Sequence, residues 1–235
     1  MEIQQALLTK NQYSRPGTAM GTIKKITIHW VGNAGSKAIN NRNYFESLKE
    51  GKKNAYGNYI YASSHYIVGL DGEIIQCVPE NEVAYHGNSH NSFAIGIECC
   101  HPDWGGRFAE TTYKSLINLV AELCAKYKLN AYTGIERHYD ITGKDCPHYY
   151  VQNESAWRQF LKDVDTRMKE GDEMVQQEEI NVNGANIQCD VILKDGVTYM
   201  PMRQIAELLG AEVISIFRAN SARLITASSY HVPKL

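Results

Sequence analysis

Phe93-Ala94-Ile95-Gly96-Ile97-Glu98-Cys99 is an apolar run closed by one acidic residue and a cysteine, and it reads as an interior strand. Strands covered on both faces carry near-continuous hydrophobic runs rather than strict alternation. Upstream, Tyr66-Ile67-Val68 and Glu73-Ile74-Ile75-Gln76-Cys77 flank Asp71-Gly72, a strong hairpin signal that predicts two antiparallel strands. Further upstream, Ile23-Lys24-Lys25-Ile26-Thr27-Ile28 alternates like a strand and ends at His29, delivering that side chain into a loop-built cleft.

Helices fill the gaps between these strands. Ser36 is placed to cap a helix through Ala38, Asn41, Tyr44, Phe45 and Leu48, with Gly51 as its stop. Thr111 or Thr112 starts a second helix, in which Leu116, Leu119, Val120, Leu123 and Tyr127 recur at helical spacing. A third begins near Glu154 and carries Trp157, Phe160, Leu161, Val164 and Met168 on one stripe. The expected fold is α/β, a mixed central β-sheet flanked by helices, over residues 1–169.

Residues 170–179 are polar and acidic and read as a linker. Residues 180–235 change character. Ile180–Gly184 and Cys189–Leu193 alternate like short strands, Asp195-Gly196 makes a turn, and a helix runs through Ile205, Leu208 and Leu209 to Gly210. A small α+β domain is expected there.

Composition narrows the function. With 235 residues, 43% hydrophobic, the chain has enough apolar material for a sizeable core. A net charge of -2 offers no basic surplus to neutralise phosphates, which argues against nucleic acid as partner. The start, Met1 to Leu8, lacks a basic segment followed by a long apolar one, so no signal peptide and no membrane insertion are expected, and the protein is expected to be made in the cytoplasm. The cysteines, at 77, 99, 100, 124, 146 and 189, show no paired spacing of a secreted scaffold.

The stretch His138-Tyr139-Asp140-Ile141-Thr142-Gly143-Lys144-Asp145-Cys146-Pro147 places a histidine, a lysine and a cysteine in one short loop. Catalytic zinc commonly takes three protein ligands and leaves one position for water, and two His with one Cys is an accepted set. His138, Cys146 and His29 are the candidates. Spacing alone leaves the alternatives open: a hydrogen-bonded histidine at a strand end, and a cysteine serving as a small buried hydrophobe.

Five motifs in order carry a family resemblance: Ile26-Thr27-Ile28-His29, Ser64 to Gly72, Ala84-Tyr85-His86-Gly87-Asn88, Ile95-Gly96-Ile97-Glu98, and the His138–Pro147 loop. Over residues 23–150 the chain resembles the zinc-dependent N-acetylmuramoyl-L-alanine amidases of the peptidoglycan-recognition and phage-lysozyme type. That resemblance implies Zn2+ held by His29, His138 and Cys146, activating water against an amide of bacterial peptidoglycan. It implies Glu98 as the proton-transferring carboxylate and Lys144 as a charge facing the developing oxyanion. Some relatives use a tyrosine at the position matching Ser64; a serine there cannot act as a phenol, which shifts the proton-transfer role toward Glu98. His86, Ser64 and Tyr59 are expected at the substrate, with Tyr56 and Trp104 as further groove aromatics. Asp140 and His65 are expected to support the site rather than take part.

The implied reaction separates stem peptide from glycan, as a phage or prophage endolysin that reaches the wall after release. A zinc endopeptidase cutting within the stem peptide remains an alternative, as does a non-catalytic peptidoglycan-binding protein, although such binders lack the cysteine ligand. The C-terminal segment resembles the small stalk domains related to the N-terminal domain of copper amine oxidases. Cys189 and His231 are too few and too far apart for copper. Wall attachment or homo-oligomer formation is the role expected of it.

Overall fold

The computed structural model describes residues 2–171, 175–182, 185–194 and 197–199. The chain divides into two units, Met1–Lys169 and Glu170–Leu235. The first unit begins with β1 (Gln4–Gln5), β2 (Lys25–Trp30) and α1 (Ala38–Ser47). The hairpin β3 (Tyr66–Val68) and β4 (Ile74–Gln76) follows, then β5 (Ala94–Cys99) and α2 (Glu110–Tyr127). Next come α3 (Ala131–Gly134), β6 (Ile135–Arg137) and α4 (His138–Thr142), then α5 (His148–Gln152) and α6 (Glu154–Gly171).

The six strands form one sheet in the order β1-β4-β3-β5-β2-β6. Every pair is parallel except the β3–β4 hairpin, so the sheet is mixed and β5 is interior. Successive side chains of a strand point to opposite faces, and the two faces differ here. Ile26, Ile28, Ile95, Ile97 and Val68 point one way and pack against Leu116, Leu119 and Val120 of α2 and Phe160 and Val164 of α6. On the other face Ile67, Ile75 and Cys77 lie under Ala38, Phe45 and Leu48. The same face of β2, β5 and β6 carries Thr27, His29, Gly96, Glu98 and Glu136 instead. Of that polar stripe, His29 and Glu98 line the cleft.

Several boundaries differ from expectation for identifiable reasons. β2 runs on to Trp30, paired with Cys99, so His29 lies inside the strand rather than at its end. The Ser36 hydroxyl donates to the Asn33 carbonyl (2.7 Å) and accepts from Asn41 (2.8 Å), leaving Lys37 at the N-cap position of α1. A 3-10 turn, Leu48–Glu50, extends α1 and ends at Gly51, whose φ of 76° suits glycine. α2 starts at Glu110, because the Thr112 hydroxyl ties the helix to the Gly69 carbonyl (2.8 Å) instead of capping it. His138–Thr142 is a helical turn, so only its continuation from Gly143 is loop.

In the second unit, β7 (Val175–Val182), β8 (Ala185–Lys194) and β9 (Val197–Tyr199) form an antiparallel sheet in that order. Residues 175–179, expected as linker, are therefore strand. Glu178 and Glu179 are solvent-exposed while their backbones pair with Cys189 and Gln188; polarity there reflects exposure, and pairing needs only the backbone. The expected turn at 195–196, the helix through Ile205, Leu208 and Leu209, and His231 lie outside the described residues. Among the described residues no helix is long and apolar enough to cross a membrane.

Candidate metal centre and active site

Parallel pairing sets the first two donor side chains together. Ile28 is paired with Arg137 across β2 and β6, so His29 and His138, one residue further along each, emerge side by side. Their Nδ1 atoms are 3.1 Å apart. The Tyr139 N–H then donates to the Cys146 carbonyl (2.9 Å), which folds the loop back and brings Cys146 Sγ to 3.8 Å from His29 Nδ1. All three ligand atoms lie within 4.8 Å of one another, with His29 and Cys146 buried. Tetrahedral zinc with Zn–N of about 2.0–2.1 Å and Zn–S of about 2.3 Å separates its donors by roughly 3.3–3.6 Å. The two spacings from His29 Nδ1, 3.1 and 3.8 Å, are close to these, and two imidazoles with a thiol are donor types zinc accepts, so the residues fit the ion.

Burial keeps the two histidines in the neutral state a metal requires. Desolvation, helped by the neighbouring His86 and His138, lowers His29 well below the ordinary histidine range. Burial and the charge of Lys144 hold His138 down to about 4. Both rings are neutral at physiological pH. The Cys146 thiol is pushed up to about 12, by burial first and by Glu98 next; a thiolate there needs a compensating cation.

Glu98 is the register partner of His29 on β5 and lines the same cleft. Burial raises its carboxyl to about 8, with Lys144 pulling the other way. Its Oε2 is buried without a hydrogen-bond partner among the described residues. An unpaired buried carboxyl oxygen costs on the order of 1–3 kcal/mol, and such sites concentrate where catalysis needs a proton held ready.

The loop that carries two of the donors is clamped by Arg137. Its guanidinium reaches Asp140 (2.8 Å), Glu154 on α6 (2.9 Å) and the Tyr150 carbonyl (3.0 Å), and it lies over the Trp157 ring. Sequence reasoning missed Arg137; the Arg-x-x-Asp spacing at the start of α4 was its only local signal. Asp140 takes up the role of support through this pair. His65 also supports, its Nδ1 accepting from the Gly96 N–H (2.9 Å) and its Nε2 facing the Glu82 carbonyl (3.0 Å).

The cleft, about 710 Å³, is lined by the three donors, Glu98, His86 and Lys144, with walls that include Trp30, Phe45, Tyr61 and Tyr85. Two residues expected at the substrate are not on its wall. Ser64 is fully buried and donates to the Tyr66 carbonyl (2.9 Å). Tyr59 packs at a tilt against Tyr13 and lies outside the lining, while Tyr61 takes the wall position. Tyr56 and Trp104 are exposed but likewise outside the lining. His86 lies against His29, with Nδ1 3.2 Å from His29 Nε2.

Comparison with known proteins agrees with this geometry. Residues 19–149, which contain every donor and Glu98, match the family model described as N-acetylmuramoyl-L-alanine amidase. A "Probable N-acetylmuramoyl-L-alanine amidase" of Bacillus licheniformis is 33% identical over 218 residues, 88% of this chain and 58% of that protein. The amidase BlyA of Bacillus subtilis (strain 168) is 33% identical over 178 residues, covering 67% of this chain and 45% of that protein. This chain thus spans about half the length of these relatives. Among solved structures, PlyL is similar with a TM-score of 0.57 and 26% identity, over 70% of this chain and 97% of that one. The PlyG catalytic domain is similar with a TM-score of 0.58 and 26% identity, over 72% and 96%.

Proposed function

The chain belongs to the N-acetylmuramoyl-L-alanine amidase family, and from that premise we propose that it hydrolyses the amide between N-acetylmuramic acid and L-alanine in bacterial peptidoglycan. The observation that carries this is the convergence of His29, His138 and Cys146 in one cleft with a carboxyl oxygen, Glu98 Oε2, that has no hydrogen-bond partner among the described residues. His29, His138 and Cys146 would hold Zn2+, which in such a three-ligand site supplies an acidified water and a Lewis acid for the scissile carbonyl.

The chain's own groups do the rest. Glu98 accepts a proton at its free oxygen and delivers it to the departing L-alanine nitrogen, a contribution of roughly two to four orders of magnitude. Its pKa of about 8 in the metal-free chain comes from burial; a nearby cation opposes burial and moves it toward neutrality, where one group serves best as base and then acid. The Lys144 ammonium at the cleft wall faces the charge that develops on the carbonyl oxygen. Tyr61, Tyr85 and Trp30 offer aromatic walls to the sugar and lactyl group.

The setting we propose is a phage or prophage endolysin, which a solved relative titled an endolysin from Bacillus subtilis supports at 25% identity. The second unit would be a stalk-like accessory module that holds the enzyme on the wall or pairs two copies. Replacing Cys146 by Ser tests the core of this reading. Loss of both zinc retention and hydrolysis is expected; unchanged hydrolysis overturns it.

A further inference from the structure

We infer that His86 is a positioning residue of the metal centre: it dictates which nitrogen of His29 is left bare for the metal, and Gly96 supplies the space that lets it do so. This rests on the zinc reading above and adds residues to it.

The direction of the hydrogen bonds follows from a group that can only accept. The Ala94 carbonyl lies 3.0 Å from His86 Nε2, so that nitrogen carries the proton. A neutral imidazole has one N–H, which leaves His86 Nδ1 as an acceptor. That atom is 3.2 Å from His29 Nε2, so His29 donates from Nε2. Its Nδ1 lone pair then points at His138 Nδ1 (3.1 Å) and Cys146 Sγ (3.8 Å), as metal ligation demands. The His29–His138 contact adds a consequence: with His29 Nδ1 bare, it is a hydrogen bond only when His138 Nδ1 carries a proton. Metal uptake at His138 Nδ1 therefore requires its proton to be exchanged for one at Nε2, a change of tautomer with no change of charge, and leaves the tautomer of His29 as it is.

Gly96 makes the arrangement sterically feasible. A Cβ at this position would lie 2.3 Å from His86 Cγ and 2.7 Å from its Nδ1. Any side chain there displaces the ring from beneath His29. The neighbouring His65 packs edge-on against His86, ring centroids 5.7 Å apart, and holds the Gly96 N–H. His86, expected at the substrate, thus acts through His29, and the glycine of Ile95-Gly96-Ile97-Glu98 has a reason in packing.

The test measures Zn2+ affinity by chelator competition on the full chain, for wild type, His86→Asn and His86→Leu. Asparagine can present its Oδ1 where Nδ1 stood; leucine fills the volume but cannot accept. Loss of such a supporting partner commonly loosens a metal 10–100-fold, so His86→Leu is expected to weaken binding by about that factor and His86→Asn to stay within about threefold of wild type. In metal-free wild type, 15N NMR is expected to find His29 protonated at Nε2 and His138 at Nδ1. Leucine as tight as wild type, asparagine as weak as leucine, or a His29 protonated at Nδ1 each overturns the positioning role alone. Wild-type protein that holds no zinc overturns the metal reading itself, and this inference with it.

Discussion

His29 and Glu98 stand opposite each other in the parallel register of β2 and β5, so a buried imidazole and a buried carboxyl rise from the same face of the sheet at the same height. The first prediction separates their roles. Glu98→Gln keeps the shape and removes the titrating group; kcat is expected to fall by about 10²–10⁴, with zinc affinity little changed. Joint loss of zinc and turnover would assign Glu98 to the donor set instead.

The raised carboxyl makes stability depend on pH in a definite direction. Glu98 holds its proton more tightly folded, at about 8, than at its ordinary 4.5. Its contribution is therefore fully present below 4.5 and is lost as pH rises toward 8. In urea unfolding of metal-free protein, Glu98→Gln is expected to gain on wild type as pH goes from 5 to 8, by on the order of a few kcal/mol. A difference that stays flat over this range contradicts the burial argument.

Histidines act with the opposite sign. His65 and His138 are depressed to about 4, and His86 to about 3, chiefly by burial. The unfolded chain binds their protons first, so their contribution is present above 6.5 and is lost as pH falls toward 4. With Glu98→Gln as background, to remove the opposing carboxyl, the urea midpoint of metal-free protein is expected to drop steadily from pH 6.5 to 4. Constancy across that interval would show that the rings charge freely when folded.

Lys144 is exposed, yet its charge lowers His29, His138 and Glu98 alike. Lys144→Met is expected to reduce kcat by about 10–10³ and to shift the pH-rate limb assigned to Glu98 upward, since the cation no longer favours the carboxylate. A pH profile unmoved by the substitution would confine Lys144 to the solvent.

Arg137 joins the His138 turn to α6. Arg137→Ala removes the guanidinium from Asp140, Glu154 and the Tyr150 carbonyl, leaving Asp140 only the backbone N–H of residue 137, and is expected to cost roughly 1–3 kcal/mol and to weaken zinc. Calorimetric unfolding with a parallel zinc titration checks both; stability lost with zinc affinity intact would show that the clamp serves the fold only.

Much of this was legible in the chain because it is local. The apolar run around Ile95 and the Asp71-Gly72 turn announce their strands, and His138 and Cys146 declare themselves within one segment. What escaped depends on distant packing. Ser64 and Tyr59 were expected at the substrate by residue type and position, but where a loop side chain goes is decided by its neighbours: the Tyr66 carbonyl holds Ser64 in the core, and the Tyr13 ring holds the exposed Tyr59 outside the cleft lining. Arg137 gains meaning only once α6 lies beside it. Glu178 and Glu179 look like linker because charge does not reveal a strand with exposed faces.

The central claim is tested most directly by mass spectrometry of fragments released from purified peptidoglycan, with zinc-loaded and chelated protein side by side. Stem peptides bearing a free L-alanine amino terminus, with glycan strands intact and release abolished by chelation, are the expected result. Cuts within the stem peptide, or release that chelation does not touch, would contradict it.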